Sequence, residues 1–177
     1  MKMGTRSLLF GVHQFLIHPL LVWRAWVKLY GRPSWRELFA IWVHDLGYWG
    51  CAEMNGPEGS QHSVKSAEIA VGIFRKFYPR AHAICWVWSY VAYHSRHHSA
   101  SVEAKPSKLC WPDKLATCYY PTWLYLMLAK ATGEWKEYRD ADIAKHPDHA
   151  SMTDAQLLNS FKDHAKAMVE AETGVRL

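Results

Sequence analysis

His44 and Asp45 stand side by side in Trp42-Val43-His44-Asp45-Leu46-Gly47, and that pairing suits metal chemistry. On a helix, neighbouring side chains leave the axis about 100° apart, so an imidazole can bind one cation while the carboxylate, with two oxygens, bridges two. Asp45 is the natural bridge. A centre of that kind needs further imidazoles and carboxylates converging from other helices. Of the 11 histidines, His18, His44, His62 and His94 fall on expected inward stripes or helix starts, and Asp113 adds a carboxylate. Imidazole nitrogen with carboxylate oxygen suits a divalent transition metal, Mn, Fe, Co, Ni or Zn. A lone histidine on an apolar face is more often a hydrogen-bonded core residue. Asp113 alone could equally be an acid in a first helical turn. The ordered set is what points to a site.

The elements that must hold these residues read as helices. His18, Val22, Ala25 and Leu29 recur at intervals of four, three and four, with Pro19 tolerated in a first turn and Gly31 and Pro33 as the stop. Ser34-x-x-Glu37 has the form of a capping box and opens a second helix through Leu38 and Ile41, ending at Gly47 with His44-Asp45 in its last turn. A third is expected from His62 to Tyr78, with Ile69 and Ile73 inward, and a fourth from about Ala81 to Ser95, along the stripe Ile84, Val87, Val91 and His94. A polar loop follows to Lys108. Pro112 then opens a helix carrying Asp113 and Ala116, which Pro121 bends or breaks before Leu124 to Ala131 continues. Thr153 and Gln156 box the start of the last helix, with Leu157, Phe161, Ala165 and Met168 on one face. No window alternates with period two between turn signals, although Cys85 to Val91 is rich in Trp, Val and Tyr. The expected class is all-α, a bundle of about six to seven helices. One domain spans 1–177, with a core for the site over about 13–131 and a helical extension over about 132–177.

Composition narrows the function. Of 177 residues, 50% are hydrophobic and 21% charged, which fits a globular chain rather than a disordered one. The formal charge of +5 comes without a basic block, so no nucleic-acid surface is expected, and a small anionic substrate suits the balance better. The run from Ile17 to Val27 is broken by His18, Pro19 and Arg24 and is too short to span a bilayer. No membrane partner and a cytoplasmic location are expected. Cys51, Cys85, Cys110 and Cys118 form no C-x-x-C pair and read as buried free thiols. Trp23, Trp26, Trp42 and Trp88 read as core. His82, His146, His149 and His164 read as solvated, and Glu53 and Glu58 lie in a turn-rich connection that could approach the metals.

The order His18, His44-Asp45, His62, His94, Asp113 resembles the H…HD…H…H…D signature of the HD superfamily of metal-dependent phosphohydrolases. Val43-His44-Asp45-Leu46-Gly47 is similar to that family's apolar-HD-apolar-G, and Trp111-Pro112-Asp113-Lys114-Leu115 to its A-D-K-L segment. The resemblance implies a compact HD-like bundle in which His18, His44, Asp45 and Asp113 hold one ion and His62 and His94 a second, with Asp45 shared. His13 could stand in for His18, and His97 or His98 for His94. It further implies hydrolysis of a nucleotide or other small phosphoester, by a water whose pKa the metal lowers. Arg96, His97 and Lys114, with Lys65 one turn beyond His62, are the candidates for gripping phosphate, Arg by two parallel bonds and Lys as a point charge. Asp45, Arg96 and Lys114 would then carry the chemistry. Two rivals share the ligand set: a diiron oxygenase, and a degenerate HD fold used as a binding or regulatory module.

Overall fold

The computed structural model describes residues 1–177 and is all-helical. Eleven α-helices run in the order α1 (Met3–Phe10), α2 (Ile17–Tyr30), α3 (Trp35–Val43), α4 (Pro57–Ser60), α5 (His62–Phe74), α6 (Ala81–Ala92), α7 (Arg96–Ser101), α8 (Cys110–Tyr119), α9 (Thr122–Thr132), α10 (Glu134–Ile143) and α11 (Asp154–Thr173). Short 3-10 turns follow α3 (Leu46–Tyr48) and α10 (Pro147–Ser151). The count exceeds six or seven because α1, α4, α7 and α10 are short or polar and lack a long apolar period. The stretch from Ser95 to Lys108, expected as loop, contains α7, whose N-terminus Ser95 caps by accepting from the His98 N–H.

Both capping boxes form. The Ser34 hydroxyl accepts from the Glu37 N–H while the Glu37 carboxylate accepts from the Ser34 N–H, and Thr153 and Gln156 repeat the arrangement on α11. The largest apolar cluster joins Val22 and Trp26 of α2, Ala40 and Ile41 of α3, Ala67, Ala70 and Phe74 of α5, and Val87 and Val91 of α6. A second cluster seats α9, Trp135 of α10 and Leu157 and Leu158 of α11, and a third wedges Val169 of α11 against Cys110 and Leu115 of α8.

α5 is turned differently from the sequence expectation. Ser63, Ser66, Ala67 and Ala70 face inward, whereas Ile69 and Ile73 are 38% and 36% exposed. α5 and α6 pack as neighbours, and small side chains let two helix backbones come close where isoleucine would hold them apart. Trp23 and Trp42, expected in the core, are also exposed, while Trp26 is buried. All four cysteines are unpaired, and Cys85 lies at the surface rather than inside. No helix is long and apolar enough to cross a membrane.

Candidate metal centre

Five elements converge on one buried region. The inward face of α2 delivers His18 and the first turns of α8 deliver Asp113. α3 stops at Val43, earlier than Gly47, so His44 is its C-cap and Asp45 begins a turn with φ −104° and ψ 0°. That turn aims both side chains at the same interior. His62 opens α5, and His94 follows the end of α6. Gly47 makes the junction possible: a Cβ there would sit 1.9 Å from the His62 carbonyl oxygen, and the Gly47 N–H donates to Ser66 Oγ at 2.8 Å. Tyr48, next in sequence, stacks flat on the His62 ring at 4.0 Å between centroids.

The ligand atoms fall into two groups: His18, His44, Asp45 and Asp113, and Asp45, His62 and His94. In the first, His18 Nε2 lies 3.1 Å from Asp113 Oδ1 and 3.2 Å from Asp45 Oδ2, and His44 Nε2 lies 3.3 Å from both His18 Nε2 and Asp45 Oδ2. In the second, Asp45 Oδ1 is 3.7 Å from His62 Nε2 and 3.6 Å from His94 Nε2, and the two imidazole nitrogens are 3.2 Å apart. Asp45 thus gives one oxygen to each group. A tetrahedral ion with bonds of about 2.0–2.1 Å sets its ligand atoms about 3.3–3.4 Å apart, the same spacing.

Hydrogen bonding on the outer side orients the ligands. The Nδ1–H groups of His44, His62 and His94 donate to the carbonyl oxygens of Ile41, Gly59 and Val91 at 2.8, 2.7 and 2.6 Å. A carbonyl can only accept, so each Nδ1 keeps its hydrogen and each Nε2 is left to face the centre. Asp113 Oδ2 accepts from Lys114 Nζ at 2.9 Å, which leaves Oδ1 for the centre. Asp45 Oδ2 is buried without a hydrogen-bond partner although His18 Nε2 is 3.2 Å away. Imidazole nitrogens and carboxylate oxygens crowded round a common point, with Asp45 Oδ2 left unpaired, are what a cation would satisfy. The buried His18, His44, Asp45 and Asp113 cluster could hold a metal ion.

Electrostatics follow from the crowding. Burial alone would lower the His44 pKa, but the adjacent Asp45 charge and the bonds to Asp113 and Asp45 overcome it and push it up to about 10. Burial would raise both carboxyls; the His44 charge and the nearby His18 and His94 hold Asp45, and Lys114 with His18 and His44 holds Asp113, well below the ordinary range. Burial, with His94 alongside, takes His62 down to about 3, so it stays neutral. The Asp113 charge fixes Lys114 in its cationic form.

Other expected positions are placed differently. His13 is not among the grouped ligands: its Nδ1 lies 3.1 Å from Glu134 Oε2 and 3.0 Å from Ser7 Oγ. Glu134 is fully buried and also accepts from Thr132 and Tyr138, at 2.5 and 3.2 Å. His97 and His98 lie outside both groups, His98 against Trp88 and Tyr93. Arg96 and His97 line a cavity of about 440 Å³ that none of the grouped histidines and aspartates borders, and Arg96 contacts Met168 Sδ. His97 also borders a smaller one, about 230 Å³, beside His62 and Tyr48. Lys65 Nζ sits 3.7 Å from Cys51 Sγ. Glu58 caps Ala52 and pairs with Lys2, and neither it nor Glu53 joins the ligands.

Sequence reasoning missed a second cavity of about 440 Å³, which reaches the centre through Lys114, the partner of Asp113, and is lined also by His13, Tyr48, Tyr125, Tyr138 and Phe161, with Lys145 and His164. His164 is exposed, as expected, at the edge of this cavity, while His149 is half-buried and bonded to Asp142 at 2.7 Å. No local pattern marks Glu134 or the tyrosines, because their meeting depends on how α9, α10 and α11 pack. Compared with family models, curated proteins and solved structures, the chain matches none.

Proposed function

We propose that the chain is a metal-dependent phosphohydrolase acting on a nucleotide or other small phosphoester. The observation that carries the reading is Asp45, whose two oxygens are divided between two ligand groups. In this reading His18, His44 and Asp113 complete the site of one divalent transition ion, and His62 and His94 that of a second. Such ions, when bound, supply an acidified water nucleophile and neutralise charge on the phosphoryl oxygens.

The chain's own groups do the rest. Lys114 remains charged beside Asp113, with a side chain 39% exposed, and holds a phosphoryl oxygen as a point charge. Asp113, pinned on its other oxygen by Lys114, keeps its ligand atom in place. The cavity that Lys114 shares with Tyr48, Tyr125 and Tyr138 takes the organic group, its tyrosines offering apolar faces with polar tips, and Lys145 and His164 favour an anion there. Tyr48 excludes water from His62 by stacking on it. Four unpaired cysteines suit the reducing cytoplasm, where we place the chain.

The test is purified protein, loaded in turn with Mn, Co, Ni and Fe, against a panel of nucleotides and phosphomonoesters, with the His44→Ala/Asp45→Ala double variant as control. Phosphate release by the wild type alone is expected. No release from any compound with any metal would overturn the reading, and oxygen uptake by the iron form with an organic substrate would replace it with oxygenase chemistry.

A further inference from the structure

The outward face of α2 is as apolar as its inward one. His18, Val22, Ala25 and Leu29 are buried, yet on the opposite side Leu16, at the N-terminal edge, and Leu20, Trp23 and Val27 are 52%, 46%, 42% and 46% exposed. A helix apolar all round is ordinarily enclosed by protein or by lipid. The patch widens beyond α2. Trp123 and Met127 are 67% and 52% exposed on α9, whose Leu124 and Leu128 pack with Leu21 of α2 in one cluster. Phe10, at the end of α1, and Phe15, in the connection leading to α2, are exposed as well.

Charge is distributed to match. Residues 1–36 contain six of the 21 Lys and Arg and none of the 16 Asp and Glu, the first acid being Glu37. Arg24, Lys28 and Arg32 are exposed at or just beyond the outer side of α2 and form no ion pair with any carboxylate, Arg24 lying over the Tyr119 ring at 4.5 Å. A second copy docked through this face in an isologous dimer would meet the same cations, an arrangement that repels. Anionic headgroups would pair with them while the leucines and Trp23 entered the acyl boundary, the usual division of a helix lying in a membrane interface.

We propose that the outer face of α2, with Trp123 and Met127 of α9, docks the protein on an anionic lipid surface. The expectation of no membrane partner rested on the lack of a spanning run, which a helix lying flat does not need. The metal centre, on the opposite side of α2, remains turned away from the bilayer. The inference is independent of the reaction the centre performs.

Flotation of the full-length protein with vesicles tests it, using phosphatidylcholine alone and phosphatidylcholine mixed with phosphatidylglycerol. Binding to the mixed vesicles, weakened by added salt, is expected. Leu20→Glu/Trp23→Glu should lower partitioning at least about tenfold, by moving charge into the apolar contact. Arg24→Gln and Lys28→Gln, which leave the apolar face intact, should each lower it about fivefold. Circular dichroism and metal content identical to wild type establish that each variant folds, and the glutamine variants decide the matter should the glutamate pair not fold. Failure of the wild type to float with mixed vesicles overturns the proposal, as does binding unchanged in the glutamine variants. A vesicle-independent dimer by light scattering that Leu20→Glu dissociates would assign the face to a second copy instead.

Discussion

Metal binding to the His18, His44, Asp45 and Asp113 group should release a proton and strengthen steeply with pH. Without a cation, His44 lies 3.3 Å from Asp45 Oδ2 and 3.5 Å from Asp113 Oδ1, and its pKa of about 10 keeps it protonated at neutral pH. Its Nδ1–H is committed to the Ile41 carbonyl, so the proton that must leave is the one on Nε2, the ligand atom. Asp45 and Asp113 are already ionised and His62 is already neutral, so these three add nothing to the release. Competition from a group with pKa about 10 lowers apparent affinity at neutral pH by about three decades, roughly 4 kcal/mol. Affinity should therefore rise about tenfold per pH unit between about pH 7 and 9. Calorimetric titration with Mn in buffers of different ionisation enthalpy measures the protons released directly. Release below one proton per ion, or an affinity flat across that range, would refute the reasoning. The same shifts set the stability of the metal-free protein. The raised His44 contributes fully below its unfolded value of 6.5 and is lost as pH rises through about 10. The depressed Asp45 and Asp113 contribute above 3.8 and are lost as pH falls through their folded values.

Asp45→Ala should empty both ligand groups, whereas His62→Ala should leave the four-residue group loaded, at about half the wild-type metal content by elemental analysis if both groups fill. Gly47→Ala would press a Cβ onto backbone at His62 and Ser66; a loss of about 1–3 kcal/mol in denaturant unfolding is expected, with metal lost first from the His62 side. Glu134→Leu would strand His13, Thr132 and Tyr138 around an apolar side chain and should cost about 3–5 kcal/mol in the same assay, while Glu134→Gln, which keeps acceptor oxygen, should cost less.

Legibility in the sequence followed the range of the forces involved. Capping boxes at Ser34 and Thr153 are satisfied within four residues, and Pro121 breaks a helix by its own ring and missing N–H, so both kinds of signal could be read directly. The end of α3 could not. Gly47 looked like a helix stop, but its small size serves the contact with α5, and the helix has already ended at Val43 to turn Asp45 inward. Ile69 and Ile73 misled for a related reason. Hydrophobicity marks them as core, yet the closeness of α5 to α6 gives the inward stripe to Ser63, Ser66, Ala67 and Ala70.

The six expected ligands came together because the demands on them are narrow. Each must be His or Asp, each must face inward, and each must sit where its element ends or meets another, which leaves few positions in any one sequence. The groups expected to hold substrate were under no such constraint: Lys114 joins Asp113 to the larger cavity, and His97 borders the smaller one beside His62. Arg96 has the chemistry to hold phosphate and lies two residues from His94 in sequence, but α7 turns it toward Met168. In its place, Lys145 and His164 reach the cavity from the far end of the chain, Lys145 through the packing of α10 on α9 and His164 through that of α11 across α8 and α9. Under the proposed hydrolase reading, substrate preference should therefore respond to substitutions in the last 45 residues more than to those around Arg96, because they form much of the wall of the cavity that Lys114 borders.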